Sequence, residues 1–263
     1  MKLFLAGILT VLSMVAGVAP QAEASRILYV APQRIMIEPG QNTTTMTVMN
    51  QSDKKRGYDI SLINSVMQED GSTKRVDTFP YAAKRMIRYV PRSIELEPEE
   101  RQTVRLMVRR PRDLEDGDYH THIRFRERPL ENPDPEKGEE LSFQVSAQYG
   151  VAVPVIVRHG DIQSAIRIDS VDKEASSKDE LVINFSRKGN AEAGAYMRVY
   201  RKMENGLVEI SHPLWARAYR ELDTVTRSVS LKDGEVLEGD LVLRLYKDPY
   251  DKEAVVDEYE VSF

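Results

Sequence analysis

A chain of 263 residues with 37 Lys+Arg against 42 Asp+Glu carries a formal charge of −5 and contains no cysteine. The missing thiols exclude disulfides, cysteine-bound zinc and thiol chemistry together, and the acidic balance argues against nucleic acid as a partner. Charge is uneven: residues 25–160 hold 21 basic and 20 acidic side chains, net +1, whereas residues 161–263 hold 15 and 21, net −6.

Residues 1–24 read as an export signal. Lys2 gives a positive start, Leu3 to Val18 is an apolar run, and Ala22-Glu23-Ala24 is a small-x-small cleavage site. The run is short for a span of about 20 residues, and a cleavage site follows it at once, so the mature protein is expected to start at Ser25 and not to be membrane-inserted. What remains suits two domains, 25–160 and 161–263, each resting on apolar burial and sheet hydrogen bonds.

In chain order, Ile27 to Ile37 reads as a strand interrupted at Pro32, a residue that belongs at an edge or at a switch between sheets. Thr43 to Asn50 alternates Thr with Met or Val, Tyr58 to Val66 is a third strand, and Gln68 to Ser72 is a turn. The stretch from Val76 to Arg88 is ambiguous; Tyr89 to Leu96, Gln102 to Val108 and His120 to Glu127 read as strands. Pro129 to Glu140, with three prolines and five acids, reads as a mobile loop. The methionines, Met46 and Met49 among them, are expected to fill the core.

Leu141 to Val157 dominates the first half. Every odd position (Leu141, Phe143, Val145, Ala147, Tyr149, Val151, Val153, Val155, Val157) is apolar, and the even positions up to Gln148 are Ser or Gln. That is the period of a strand with one greasy face, and 17 residues at about 3.3 Å each span roughly 55 Å, far beyond an ordinary strand. Either the strand is covered half by each domain, or part of its face awaits another protein. Arg158 to Asp161 is the natural hinge, and six shorter strand patterns follow: Ala165 to Val171, Glu180 to Ser186, Ala195 to Arg201, Thr224 to Leu231, Leu241 to Tyr246 and Ala254 to Phe263. Strands spaced by turn signals without a helical segment indicate an all-β chain of two sandwiches.

Three local motifs, in this order, carry a resemblance. They are Arg34 within PQRIMI, the turn and strand PEERQTVRL from Pro98 to Leu106, and FRERPL from Phe125 to Leu130. With the signal, the seven-strand pattern, the long alternating strand and the smaller second sandwich, the chain resembles the periplasmic chaperones of the chaperone–usher pathway. The resemblance implies two immunoglobulin-like β-sandwich domains in an L-shaped arrangement, a periplasmic location, no enzymatic activity and no cofactor. It implies pilin-like subunits and an outer-membrane usher as partners, and leaves open self-association of the free protein. The lent strand would present Phe143, Val145 and Ala147, flanked by Leu141 and Tyr149, to a subunit lacking its last strand, which is β-augmentation in donor-strand form. Arg34 would hold the subunit's C-terminal carboxylate. The family's second anchor, a lysine on the long strand, is missing: its place falls at Ala152 or Pro154, and Arg124 or Arg126 are candidate substitutes. Asp118, Arg158 and Asp248 match an acid–arginine–acid set that fixes the angle between the sandwiches.

Plainer readings stand beside these. A lone Arg is usually surface-paired, and three scattered charges need not meet. His120 and His122 share a strand face and could begin a metal site, but a pair without a third ligand is expected to be an exposed polar face, so no metal is expected. No nucleophile elbow, zinc-protease, phosphate-loop or dinucleotide pattern occurs. The alternative function is an exported two-domain adhesin or pilus structural component.

Overall fold

The computed structural model describes residues 28–128, 149–251 and 253–263, and every regular element among them is a strand. The first ten are β1 (Leu28–Ala31), β2 (Ile35–Ile37), β3 (Thr43–Asn50), β4 (Arg56–Met67), β5 (Thr73–Val76), β6 (Ile87–Val90), β7 (Ser93–Leu96), β8 (Arg101–Val108), β9 (Gly117–Arg128) and β10 (Gly150–His159). They form a four-stranded sheet, β1-β3-β8-β6, facing a sheet ordered β2-β10-β9-β4-β5 with β7 also paired to β4. The other eight are β11 (Ser164–Asp172), β12 (Glu180–Gly189), β13 (Ala193–Met203), β14 (Gly206–Glu209), β15 (Leu214–Ala218), β16 (Thr224–Ser230), β17 (Asp240–Tyr246) and β18 (Val255–Ser262). These build a second sandwich, β11-β12-β16 against β14-β13-β17-β18 with β15 on β13.

Alternation decides which side of each strand faces in. On β3, Met46 and Val48 are buried while Thr43, Thr45 and Thr47 lie outward, and on β8 Val104, Leu106 and Val108 turn in while Arg101, Thr103 and Arg105 turn out. The first core gathers Ile37, Leu96, Ile123 and Phe125 around the inner valines of β10; the second gathers Leu181, Phe185, Met197 and Leu243. The methionines divide instead of all filling cores: Met46 and Met197 are buried, whereas Met107 and Met203 lie exposed on outer faces.

Two prolines mark places where the chain changes sheet. Past Pro32 it leaves β1 in one sheet and enters β2 in the other. Past Pro91 it leaves β6 and enters β7, so the stretch Tyr89 to Leu96, expected as one strand, is two strands in opposite sheets. A residue without an N–H cannot continue a ladder, and the crossing falls where the bond would be missing anyway.

The sandwiches are joined through residues 160–163 and by polar contacts. The β4–β5 turn reaches across, where the Thr226 N–H donates to the Glu69 carbonyl at 2.7 Å and the Met67 N–H donates to Glu221 Oε1 at 2.9 Å. At the start of β9 the Asp118 N–H donates to the Asn190 carbonyl at 3.0 Å. The approach there is close enough to require glycine at 117: φ is +134°, and a Cβ would lie 2.3 Å from the Asn190 oxygen.

Candidate functional site

β10 is where the chain's apolar face changes character. Val157 and Val155 are 0% exposed, Val153 3%, Val151 half-buried and Tyr149 57% exposed, so the face that begins inside the first core emerges from it toward the N-terminal end of the strand. The strand does not fray as it emerges. It pairs with β9 from His159↔Gly117 to Gly150↔Arg126, and the Glu127 N–H donates to the Tyr149 carbonyl at 2.9 Å. Its other edge differs. β2 pairs in parallel with Val155 to Val157 alone, because the chain N-terminal to Ile35 has crossed from the other sheet. Among the described residues, no strand flanks that edge from Tyr149 to Val153.

Beside this edge lies an open cleft of about 570 Å³ between β1 and β10, lined by Leu28, Tyr29, Val30, Tyr58, Tyr149 and Val151 among others. Its lining is mixed, with Gln33 and Gln51 beside the apolar side chains, and the Tyr58 hydroxyl is buried without a hydrogen-bond partner among the described residues. Burial, and then the negative charge of Glu127, push this phenol up to about 12, so it stays a neutral donor. Of the strand positions singled out in the sequence, Tyr149 forms part of the cleft wall; Leu141, Phe143, Val145 and Ala147 lie outside the described residues.

Arg34 sits in the crossing between β1 and β2, at the border of the two sandwiches. Its Nη2 is ion-paired with Glu192, its Nη1 donates to the Tyr219 hydroxyl at 3.2 Å, and its guanidinium carbon lies 5.5 Å from the Tyr219 ring centroid. Burial works against the Arg34 charge, but Glu192 and Tyr219 outweigh it and hold its pKa above the ordinary value. The two places where the resemblance led a second anchor to be expected, Ala152 and Pro154, lie on β10. In register, Pro154 faces His122 and Ala152 faces Arg124. Arg124 is half-buried, and Arg126 is engaged with Asp59 at 3.5 Å on the surface.

Asp118 and Arg158 meet across the second pair of the β9–β10 ladder, next to Gly117↔His159, with Arg158 Nε 3.4 Å from Asp118 Oδ1. Arg158 also reaches Glu38 at 3.3 Å, and the other Asp118 oxygen accepts the Glu192 N–H at 3.1 Å. Burial raises the Asp118 pKa, opposed by Arg158 and by that N–H. Asp248 is not brought to this group: it is exposed in the turn after β17, where its Oδ1 accepts the Tyr250 N–H at 2.8 Å.

The two histidines are not an exposed polar face. His120 is 2% and His122 8% exposed, because the second sandwich lies over this part of β9. His120 Nε2 lies 3.0 Å from Glu221 Oε2, and its ring packs at 4.6 Å from Tyr219 and 4.8 Å from Phe79. His122 has no hydrogen-bond partner at Nδ1 among the described residues. Burial first, then the charges of His120 and Arg34, lower its pKa to about 4. Burial opposes ionisation of Glu221, but hydrogen bonds and charge from His120 and the Met67 N–H leave its pKa below the ordinary value. No group of three or more His, Cys, Asp or Glu placed to hold a metal ion occurs among the described residues.

The second-sandwich residues of this border, Glu192, Arg217, Tyr219 and Glu221, were not singled out in the sequence. A signal existed for two of them, Arg217 and Tyr219: with Trp215 they alternate with Ala216 and Ala218, a period of two with small residues facing the core.

No family profile and no curated protein matches the sequence. Among solved structures, the chain is similar to the class 5 fimbriae chaperone CfaA, at 14% identity and a TM-score of 0.48, covering 90% of this chain and 100% of that one. It is similar to a chain of the CsuC–CsuE chaperone–tip subunit pre-assembly complex from archaic chaperone–usher Csu pili of Acinetobacter baumannii, at 13% identity, a TM-score of 0.45 and coverage of 76% and 88%. It is also similar to a chain of the Salmonella enterica SafA pilin complex with the SafB chaperone, at 12%, 0.42 and coverage of 90% and 96%.

Proposed function

We propose that this chain is a non-enzymatic periplasmic chaperone. It binds pilin-like subunits lacking their last strand, completes their fold with its own Leu141 to Tyr149, and delivers them to an outer-membrane usher. The observation that carries this reading is the outward march of the β10 apolar face, from 0% exposure at Val157 to 57% at Tyr149, along an edge with no neighbouring strand among the described residues. The sequence continues the same alternation upstream through Ala147, Val145, Phe143 and Leu141. A strand with a free main-chain edge and a greasy face is what β-augmentation requires: the edge supplies hydrogen bonds and the alternate side chains supply plugs.

Each Phe or Val plug gains about 1.5–3 kcal/mol on burial, so three or four of them with the main-chain bonds hold a subunit without covalent chemistry. Release needs no nucleotide if another subunit's segment takes over the same groove. Arg34 is the residue proposed to receive the subunit's terminal carboxylate, and the residues beyond 160 form the second domain against which the subunit is seated.

The test is capture from periplasm. The protein should co-purify in a soluble one-to-one complex with a subunit that is degraded in its absence, and Val145→Glu should abolish capture while the protein still folds, because the plug would carry a charge into an apolar groove. Normal subunit yield with Val145→Glu contradicts the lent-strand role. Exposure of the protein at the cell surface would favour an adhesin instead.

A further inference from the structure

The sheet β1-β3-β8-β6 differs from the other sheets in its charge. Its strands, LYVA, TTTMTVMN, RQTVRLMV and IRYV, contain no Asp or Glu. Asp59, Asp118 and Glu127 lie in the sheet that faces it, and Asp169, Glu180, Glu209 and Glu258 lie in the sheets of the second sandwich. The basic residues of the acid-free sheet all lie on its outer face: Arg88, Arg101 and Arg105 are exposed, and none makes an ion pair among the described residues. Arg88 donates to the Arg85 and Ile87 carbonyls, and Arg101 Nε lies 3.2 Å from Met49 Sδ.

The nearest acids in the sequence are mostly committed elsewhere. Glu95 pairs with Arg128, Glu97 pairs with Lys55, and the Glu100 carboxylate accepts the Glu97 N–H at 2.8 Å. Glu99 stands at one end of the face, in the turn before β8, and Lys84 and Arg85 stand just before β6. The face therefore keeps a positive excess. It also gathers apolar surface: of the four large apolar side chains exposed in the first sandwich among the described residues, Tyr29, Val90 and Met107 lie here and only Tyr149 does not.

The spacing of these groups bears on what they fit. Arg101 and Arg105 stand about 13 Å apart along β8, and Arg88 faces Met107 across the β6–β8 ladder, so the charges spread over a face roughly 15 Å wide. They do not converge on one small anion. The hollows that open on the face, of about 420 and 530 Å³, lie at its two margins, one beside Tyr29, Met49 and Arg101 and the other beside Val90, Thr103 and Arg105. A protein partner gains most from an anchor seated in a pocket near the centre of the contact. Spread guanidiniums with apolar side chains between them suit an anionic surface that is itself spread and fluid.

We infer that the outer face of β1-β3-β8-β6 docks on an anionic lipid surface. The three guanidiniums meet phosphate groups, for which their forked donors are suited, and Tyr29, Val90 and Met107 reach the boundary between headgroups and acyl chains. The inference stands apart from the lent-strand reading, since it needs only the free chain and a lipid surface. The β10 edge belongs to the opposite sheet, so docking by this face does not cover it.

The test is cosedimentation of the full mature chain with vesicles of phosphatidylethanolamine holding about a third phosphatidylglycerol, beside vesicles of phosphatidylcholine alone. The chain should bind the first and not the second, and added salt should release it. Arg101→Gln combined with Arg105→Gln should weaken binding roughly tenfold or more. Arg167→Gln combined with Lys188→Gln removes the same charge from exposed positions on β11 and β12 and should leave binding within about twofold. Thr103→Glu, which sets an acid among the arginines and removes none of them, should weaken binding as well, and thermal melts check that each variant folds. No binding to the anionic vesicles, or equal losses in the two double variants, overturns the proposal. So does a face that ignores vesicles and is instead cross-linked to a periplasmic protein from a photoreactive residue placed at position 103.

Discussion

The buried imidazole of His122 makes the junction between the sandwiches sensitive to acid, by an amount the structure sets. Its pKa is lowered to about 4, chiefly by burial, against an ordinary value of 6.5. A depressed folded-state value means that the unfolded chain binds the proton first as pH falls. The stability held above pH 6.5 is therefore lost through the window down to about 4. The full difference amounts to about 3 kcal/mol, of which about 2 is gone by pH 5. Other groups move in the same range, which is why the comparison must be differential. Asp118, raised by burial, changes stability in the opposite sense, since its proton is bound more readily in the folded state. Glu221, lowered overall, loses its contribution only as pH falls past the ordinary carboxylate range. Urea unfolding of the wild type and of His122→Gln at pH 7.5, 6, 5 and 4.5 isolates the histidine. The wild type should lose stability with acid more steeply than the variant, by about 2 kcal/mol at pH 5. Identical pH slopes, or an NMR titration of His122 near 6.5, would refute the reasoning and mean that water reaches the ring.

Three further outcomes can be checked by the same means. Asn50 is 0% exposed and its amide donates to the carbonyls of Lys54, Leu96 and Glu97 at 2.7, 3.0 and 3.2 Å, so Asn50→Ala should cost about 2–3 kcal/mol in urea unfolding. Arg187, 6% exposed, donates to the carbonyls of Leu222, Gly189, Ala191 and Arg220; Arg187→Met should destabilise the second sandwich by about 3 kcal/mol and lower the thermal midpoint. Gly117→Ala sets a methyl against the Asn190 carbonyl at a φ of +134°, so it should cost more than about 1 kcal/mol and raise amide exchange at Asp118.

Strand positions were legible where one face is buried and the other wet, because a period of two then shows in the residue types. Thr43 to Asn50 and Gln102 to Val108 lie on β3 and β8 almost residue for residue. The failures have a common cause. The alternation of Tyr89 to Leu96 slips by one residue around Pro91, with Tyr89 buried before it and Ile94 and Leu96 after it, and periodicity says nothing of the sheet to which each half belongs. His120 and His122 look like a solvated face until a second domain is laid upon them, and that covering comes from residues about a hundred positions away. Arg34 was visible, but its pairing with Glu192 was not, since contact between the sandwiches leaves no local pattern. Asp118 and Arg158 do meet, whereas Asp248 is spent on its own turn.

The one-sided pairing of β10 also has a mechanical meaning. Along β9 it is held by an unbroken antiparallel ladder from His159 to Gly150, so a pull along its axis loads many hydrogen bonds in parallel and none can fail alone. On the proposed function, a guest strand laid on the opposite edge would instead be peeled from one end, one bond after another, by a competitor that starts where the guest is loosest. The host strand would then stay rigid while its occupant was replaced, with the work of turnover divided into steps no larger than a single rung.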